Sequence, residues 1–222
     1  IRFSYNKKEN LFNAKEENNS LVFTNKIRGF WLYRNGITVR TDFLFKSYCL
    51  DKIKFEANDT IIDCGANSGD LYHSFNAIKK SINYIGFEPN PDDYNVLKSN
   101  VVGSNIKLLN KGLGNKNEFL PLYVSSDGGD SSFSKPVIFS KTVEIELTTL
   151  EKIVKDFDLQ KIKLLKVEAE GFEIEVLKGI GQSINHFDYI SIDGGYERGI
   201  KCEQTFTWCS NFLLDNNFEM ID

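Results

Sequence analysis

The chain has 222 residues, 41% of them hydrophobic, with a net charge of −4 and a pI near 5.4. That length can bury a core, and the acidic balance excludes a partner held through nucleic-acid phosphates. No run approaches the roughly 18 apolar residues of a membrane span, and the polar N-terminus does not read as a signal peptide.

Residues 1–19 are rich in Asn and Lys and read as a loose leading segment. Residues 20–24 and 28–33 read as strands, with Arg34-Asn35-Gly36 as the turn before a third short run at 37–41. The pattern over 42–54 is helical. Residues 1–54 are thus expected to form an N-terminal extension, a hairpin and helix packed on a core domain at 55–222. The first residue is Ile1 rather than Met, so the chain is read as a possible domain of a larger multidomain enzyme.

From residue 60 the pattern alternates. Strands are expected at 60–64, 83–88, 106–110, 162–168 and 187–193, with a sixth beginning at Phe218. Helices follow with inward faces built from Leu71, Phe75 and Ile78; Tyr94 and Leu97; Leu150, Ile153, Val154 and Phe157; and Phe172, Val176, Leu177 and Ile180. A last helix covers about 202–215. Two β-rich runs, 118–124 and 143–148, flank a Gly/Ser loop at 125–134 and read as an inserted β-hairpin. Near-continuous apolar strands in βα alternation imply an α/β fold, a mostly parallel, doubly wound Rossmann-like sheet with helices on both faces.

The string DTIIDCGANSGD, 59–70, is a buried strand ending in Asp63 and turning through Gly65, Ala66, Asn67 and Gly69 into a helix. Such a turn is expected to present free backbone N–H groups and a positive dipole end to a ligand. Nineteen residues beyond Gly69, the next strand ends in Glu88, placed to accept hydrogen bonds from both hydroxyls of a ribose. The dinucleotide fingerprint G-x-G-x-x-G is absent, because Asn67 and Asp70 stand at its second and third glycines. No G-K-[ST] follows, which excludes a P-loop. An adenosine cofactor without phosphate fits better, and S-adenosylmethionine (SAM) is that molecule.

DTIIDCGANSGD, YIGFEPNP (84–91) and LLKVEAEGFEIEVLKGI (164–180) together resemble the FkbM family of SAM-dependent methyltransferases, over about residues 45–195. The resemblance implies a class I methyltransferase fold, SAM as cofactor and S-adenosylhomocysteine as product. It implies that Asp63 and the 65–69 turn hold the methionine end, Glu88 with Pro89 the ribose, and Lys111-Gly112-Leu113-Gly114 the adenine. It also implies glycan and polyketide or macrolide acceptors, read here as O-methylation of a sugar hydroxyl on a glycan or glycosylated metabolite. The family's usual Asp in the third motif is Glu168 here, which keeps the charge and lengthens its reach.

Each core strand ends in a polar residue at one sheet edge: Asp63, Glu88, Asn110, Glu168 and Asp193. A sugar hydroxyl must lose its proton to attack a methyl group, so a general base is required. Glu168 is the first candidate, with Glu170 second and Lys166 on the same strand face to orient it; His73 is a weaker candidate. Asp130 and Ser132 in the 127–133 loop and Tyr196 are candidate acceptor contacts, and Trp31 with Tyr33 could stack on a sugar ring or lie in the core. Glu168 and Asp193 leave adjacent strands and are possible Mg²⁺ ligands, but two oxygens are not a full set and no metal is expected. Cys49, Cys64, Cys202 and Cys209 lack C-x-x-C spacing and only two His are present, so no zinc site is expected and the thiols are read as reduced, in the cytoplasm. The competing readings are methylation of a protein or small amine, and a non-catalytic SAM-binding domain.

Overall fold

The computed structural model describes residues 1–17, 19–125 and 130–221. Its centre is a five-stranded parallel sheet of β4 (Thr60–Cys64), β5 (Asn83–Phe87), β6 (Ile106–Leu109), β10 (Ile162–Glu168) and β11 (Phe187–Asp193). Their order is β11-β10-β4-β5-β6. The chain therefore steps outward from β4 to β6, returns to lay β10 on the other side of β4, and continues to β11. The crevice between β4 and β10 is the switch point where open α/β sheets bind ligands.

Alternation along the strands divides the core in two. Ile62, Ile85 and Leu165 face one side, where they pack with α5 (Leu150–Asp156), α6 (Glu173–Lys178) and α7 (Phe206–Asp215). Ile61, Tyr84 and Leu164 face the other, against α2 (Ile37–Ser47), α3 (Asp70–Ala77) and α4 (Pro91–Asn100). The sheet is covered on both faces, as its unbroken apolar strands require. Between β6 and α5 lies a three-stranded sheet of β7 (Gly112–Leu113), β9 (Lys141–Thr148) and β8 (Phe119–Val124), in which the expected hairpin is β8 paired antiparallel with β9.

The N-terminal region departs from the sequence reading. The segment expected to be loose holds strands: β2 (Leu11–Glu16) pairs antiparallel with β1 (Arg2–Asn6) on one side and β3 (Asn19–Phe23) on the other. Cross-strand aromatics supply the apolar face that charge counting hides, with Tyr5 and Phe12 rings 4.8 Å apart and Phe12 stacked on Phe23. Residues 28–33, expected as a strand, belong to α1 (Lys26–Tyr33), and 37–41 opens α2. The Asn25 side chain caps α1 by accepting from the Arg28 amide at 2.9 Å. Gly29 lets the helix lie on Phe23, whose ring a Cβ there would strike at 2.1 Å.

Three smaller differences follow from packing. Ile78 ends α3 and is exposed, Phe218 packs on the core without forming a sixth strand, and the final helix begins at Phe206 rather than near 202.

Candidate active site

The C-terminal ends of β4, β5 and β10, together with α1 and α2, enclose a cleft of about 950 Å³, counted to its open mouth. Asp63, Gly65, Ala66, Asn67, Glu88, Pro89, Gly112, Leu113, Lys166, Glu168 and Glu170 all line it. Eleven residues singled out from four separated stretches of the sequence thus meet in one space. Gly69 does not line the cleft; with φ +89° it forms the N-cap of α3, and a Cβ there would strike Val101 at 2.4 Å.

The turn between β4 and α3 differs from its expected form. Four of its amides are occupied, while those of Ser68, Asp70 and Leu71 make no hydrogen bond among the described residues. Gly65 and Ala66 donate to the Phe87 carbonyl at 3.0 and 2.9 Å, Asn67 to Glu88 Oε2 at 2.8 Å, and Gly69 to the Ala66 carbonyl at 2.8 Å. A diphosphate needs those donors. The physical reason is β5, which ends alongside the turn and supplies acceptors at the right height.

At the floor, Lys166 is 3% exposed and stands 3.1 Å from Asp63 Oδ1 and 3.0 Å from Glu168 Oε2, and it donates to the Gly65 carbonyl at 2.9 Å. Burial alone would lower its pKa, but Asp63 and Glu168 hold it well above the usual value, so it is an ammonium. Tyr84 donates its hydroxyl to Asp63, and Tyr48 donates to Glu168 at 2.6 Å. Burial raises the Glu168 pKa, yet Lys166 and the Tyr48 hydroxyl outweigh that and keep it below 4.5. Glu168 is therefore an ionised, doubly bonded anion.

Glu170 is the contrast. Burial, then repulsion from Glu197, Asp130, Glu168 and Glu173, pushes it up to about 8. Its carboxylate makes no hydrogen bond among the described residues, and its backbone is left-handed at φ +49°. Glu88, also raised to about 8 by burial and by Asp93, accepts from the Asn67 and Asn90 amides at 2.8 and 2.9 Å.

The other candidates separate. Asp130 pairs with Arg28 at 3.2 Å, and Ser132 is buried, donating to the Glu170 carbonyl at 2.6 Å. Tyr196 is 75% exposed, and none of these three lines the cleft. Residues 126–129 of the expected loop lie outside the described residues. Trp31 sits exposed on α1, while Tyr33 is buried, so they share neither a strand nor a face. His73 is engaged with the Asn100 carbonyl at 3.0 Å, and burial lowers its pKa. Asn110 is structural, donating to the Glu88 and Pro89 carbonyls. Asp193 lies beside Glu168 in register but outside the cleft; among the described residues no group of three His, Cys, Asp or Glu is arranged to hold a metal. All four cysteines are unbridged.

Sequence reasoning missed Arg28, Arg40, Leu44 and Tyr48, which line the cleft from the N-terminal region, and Phe133 from the loop before β9. No motif marks them. Only Phe133 carried a signal, as the single apolar residue of DGGDSSF.

The donor set suits a nucleoside bearing a positive charge. Glu88 can accept from a diol, and Asp63 and Glu168, sharing the Lys166 ammonium, leave net negative charge at the floor. Sheet order and cleft position together define a class I, Rossmann-like methyltransferase fold. The profile of the "Methyltransferase FkbM domain" matches residues 63–219, most of the chain. The chain belongs to the FkbM methyltransferase family, enzymes that transfer methyl groups and in general take them from SAM. Methyltransferase sdnD of Sordaria araneosa is 29% identical over 175 residues, covering 63% of this chain and 67% of its own length. Hexuronic acid methyltransferase AglP of Haloferax volcanii is 28% identical over 149 residues, 62% of this chain and 56% of its own. The crystal structure of methyltransferase FkbM from Methylobacillus flagellatus shares the fold at TM-score 0.51 and 18% identity, over 73% of this chain and 38% of that one. The chain thus spans between about a third and two thirds of these proteins' lengths.

Proposed function

We propose that this chain transfers a methyl group from SAM to a hydroxyl of a sugar, on a glycan or a glycosylated small molecule, leaving S-adenosylhomocysteine. The observation that carries the reading is the Glu170 carboxyl, without a hydrogen bond among the described residues and lining a cleft whose floor is Asp63, Lys166 and Glu168. An amine acceptor can shed its proton to water after the transfer; a hydroxyl needs a base during it. SAM supplies a methyl group on a sulfonium, activated for in-line displacement.

In this reading Glu88 accepts the ribose hydroxyls, Gly112 and Leu113 lie along the base, and Lys166 fixes Asp63 and Glu168 beside the sulfonium. Glu170 takes the proton of the acceptor hydroxyl. Its pKa of about 8 matches that task at neutral pH, whereas Glu168 is too acidic and already bonded. The base is therefore read as Glu170, with Glu168 as an electrostatic and orienting group. A relative named for hexuronic acid methylation supports a sugar acceptor. Four unbridged cysteines accord with a reducing compartment such as the cytoplasm, and no helix among the described residues is long and apolar enough to cross a membrane.

The test is incubation with labelled SAM and a panel of mono- and oligosaccharides that includes uronic acids, with and without EDTA. Label in a sugar, unaffected by EDTA, is the expected result. Transfer confined to protein, lipid or amines overturns the assignment.

A further inference from the structure

A methionine moiety bound at the switch point carries a carboxylate, and the site must meet that charge. The amides of Ser68, Asp70 and Leu71 at the start of α3 carry no full charge to meet it, and those of Gly65, Ala66, Asn67 and Gly69 do not supply donors, since they end on acceptors within the protein. Nor do the two cleft lysines. Lys166 is committed to Asp63, Glu168 and the Gly65 carbonyl, and Lys111 to Glu146 at 2.6 Å.

Two arginines remain. Arg28 already donates to Asp130 through Nη1, and it also faces Asp93, whose pKa burial raises against that nearby positive charge. Arg40 lines the cleft from α2, and its charge is felt at Glu168. It donates through Nε alone, to Asp70 Oδ2 at 3.1 Å, and its side chain is 19% exposed. Asp70 Oδ1 is taken by the buried Tyr33 hydroxyl at 2.6 Å, so the inner edge of the guanidinium is clamped. Nη1 and Nη2 make no bond among the described residues. A pre-oriented fork with two free donors is the geometry that binds a carboxylate bidentately.

We propose that Arg40 holds the α-carboxylate of the methionine part of the methyl donor. This rests on the SAM reading above. It makes the N-terminal region part of the donor site, through a residue outside the span that matches the family profile.

Calorimetry with S-adenosylhomocysteine and with 5′-methylthioadenosine, which keeps the nucleoside and sulfur but lacks the amino acid, separates the possibilities. In Arg40→Ala the affinity for S-adenosylhomocysteine should fall roughly 10- to 100-fold, the scale of charge-assisted hydrogen bonds. Binding of 5′-methylthioadenosine should hold, which also shows that the variant is folded. Arg40→Lys should recover part of the loss, and Arg28→Ala should not discriminate between the two ligands. Unchanged affinity for S-adenosylhomocysteine in Arg40→Ala overturns the proposal, as does equal weakening of both ligands, the mark of a purely structural ion pair. Should Arg40→Ala not fold, the same ratio in Arg40→Lys decides: a selective loss for S-adenosylhomocysteine supports the proposal and no selective loss overturns it. A wild-type protein that binds neither ligand refutes the SAM reading itself, a result distinct from failure of the arginine alone.

Discussion

Two glutamates two residues apart on one chain reach opposite states because their neighbours differ. Glu168 meets an ammonium and a phenol hydroxyl; Glu170 meets other carboxylates and little water. Replacing Glu170 by Gln should lower turnover by roughly 10²- to 10⁴-fold, the usual worth of a positioned base. Because the base acts when ionised, wild-type turnover should rise with pH through about 8, and this limb should vanish in Glu170→Gln while surviving in Glu168→Gln. A limb lost only in Glu168→Gln would return the role to that residue. Glu88 makes a second case. Its carboxyl titrates near 8 when folded against an ordinary 4.5, so the folded protein binds the proton more tightly. That contribution to stability is complete below pH 4.5 and disappears as pH rises through 8. The ligand-free melting temperature of the wild type should therefore fall more steeply as pH rises through 8 than that of Glu88→Gln, by calorimetric scan, and Glu88→Gln should bind S-adenosylhomocysteine about 1–3 kcal/mol more weakly.

Among the elements, the β4–α3 turn carries the tightest constraint. Gly65 has φ +80°, and a Cβ would fall 2.2 Å from the Glu168 carbonyl oxygen at the end of β10. Gly65→Ala must either push β10 away or flatten the turn, and either change moves Asp63, Lys166 and Glu168 relative to one another. A loss of roughly 2 kcal/mol or more in urea denaturation is expected, with donor binding weakened in the folded fraction. Where an element had its own period or a capped turn, as in β10 and β11, the sequence reading and the structure agree to the residue. Where it did not, tertiary contacts prevailed. The run at 28–33 has β-prone residues, yet Asn25 caps it as a helix and Gly29 seats that helix on Phe23.

For the molecule as a whole, Asn100 is among the side chains that join the N-terminal sheet to the core. Asn100, at the end of α4, accepts from the Val22 amide at 2.8 Å and donates to the carbonyls of Val22 and Ser68 at 2.9 and 2.8 Å. It thus ties β3 to the segment leading into α3. Asn100→Ala should destabilise the protein by about 1–3 kcal/mol and raise amide exchange in β3 before the parallel sheet is affected. Uniform exchange across both sheets would show that they open as one unit. The parallel fold, the methyltransferase family and the acids at the strand ends were legible in the linear chain, because strand period, glycine spacing and the residue closing each strand are local properties. Which glutamate is free, which amides of the turn are occupied, and that Arg40 and Tyr48 reach the cleft were decided only in three dimensions. Each depends on what another part of the chain brings within about 3 Å, the reach of a hydrogen bond, and no local pattern encodes a partner's distance.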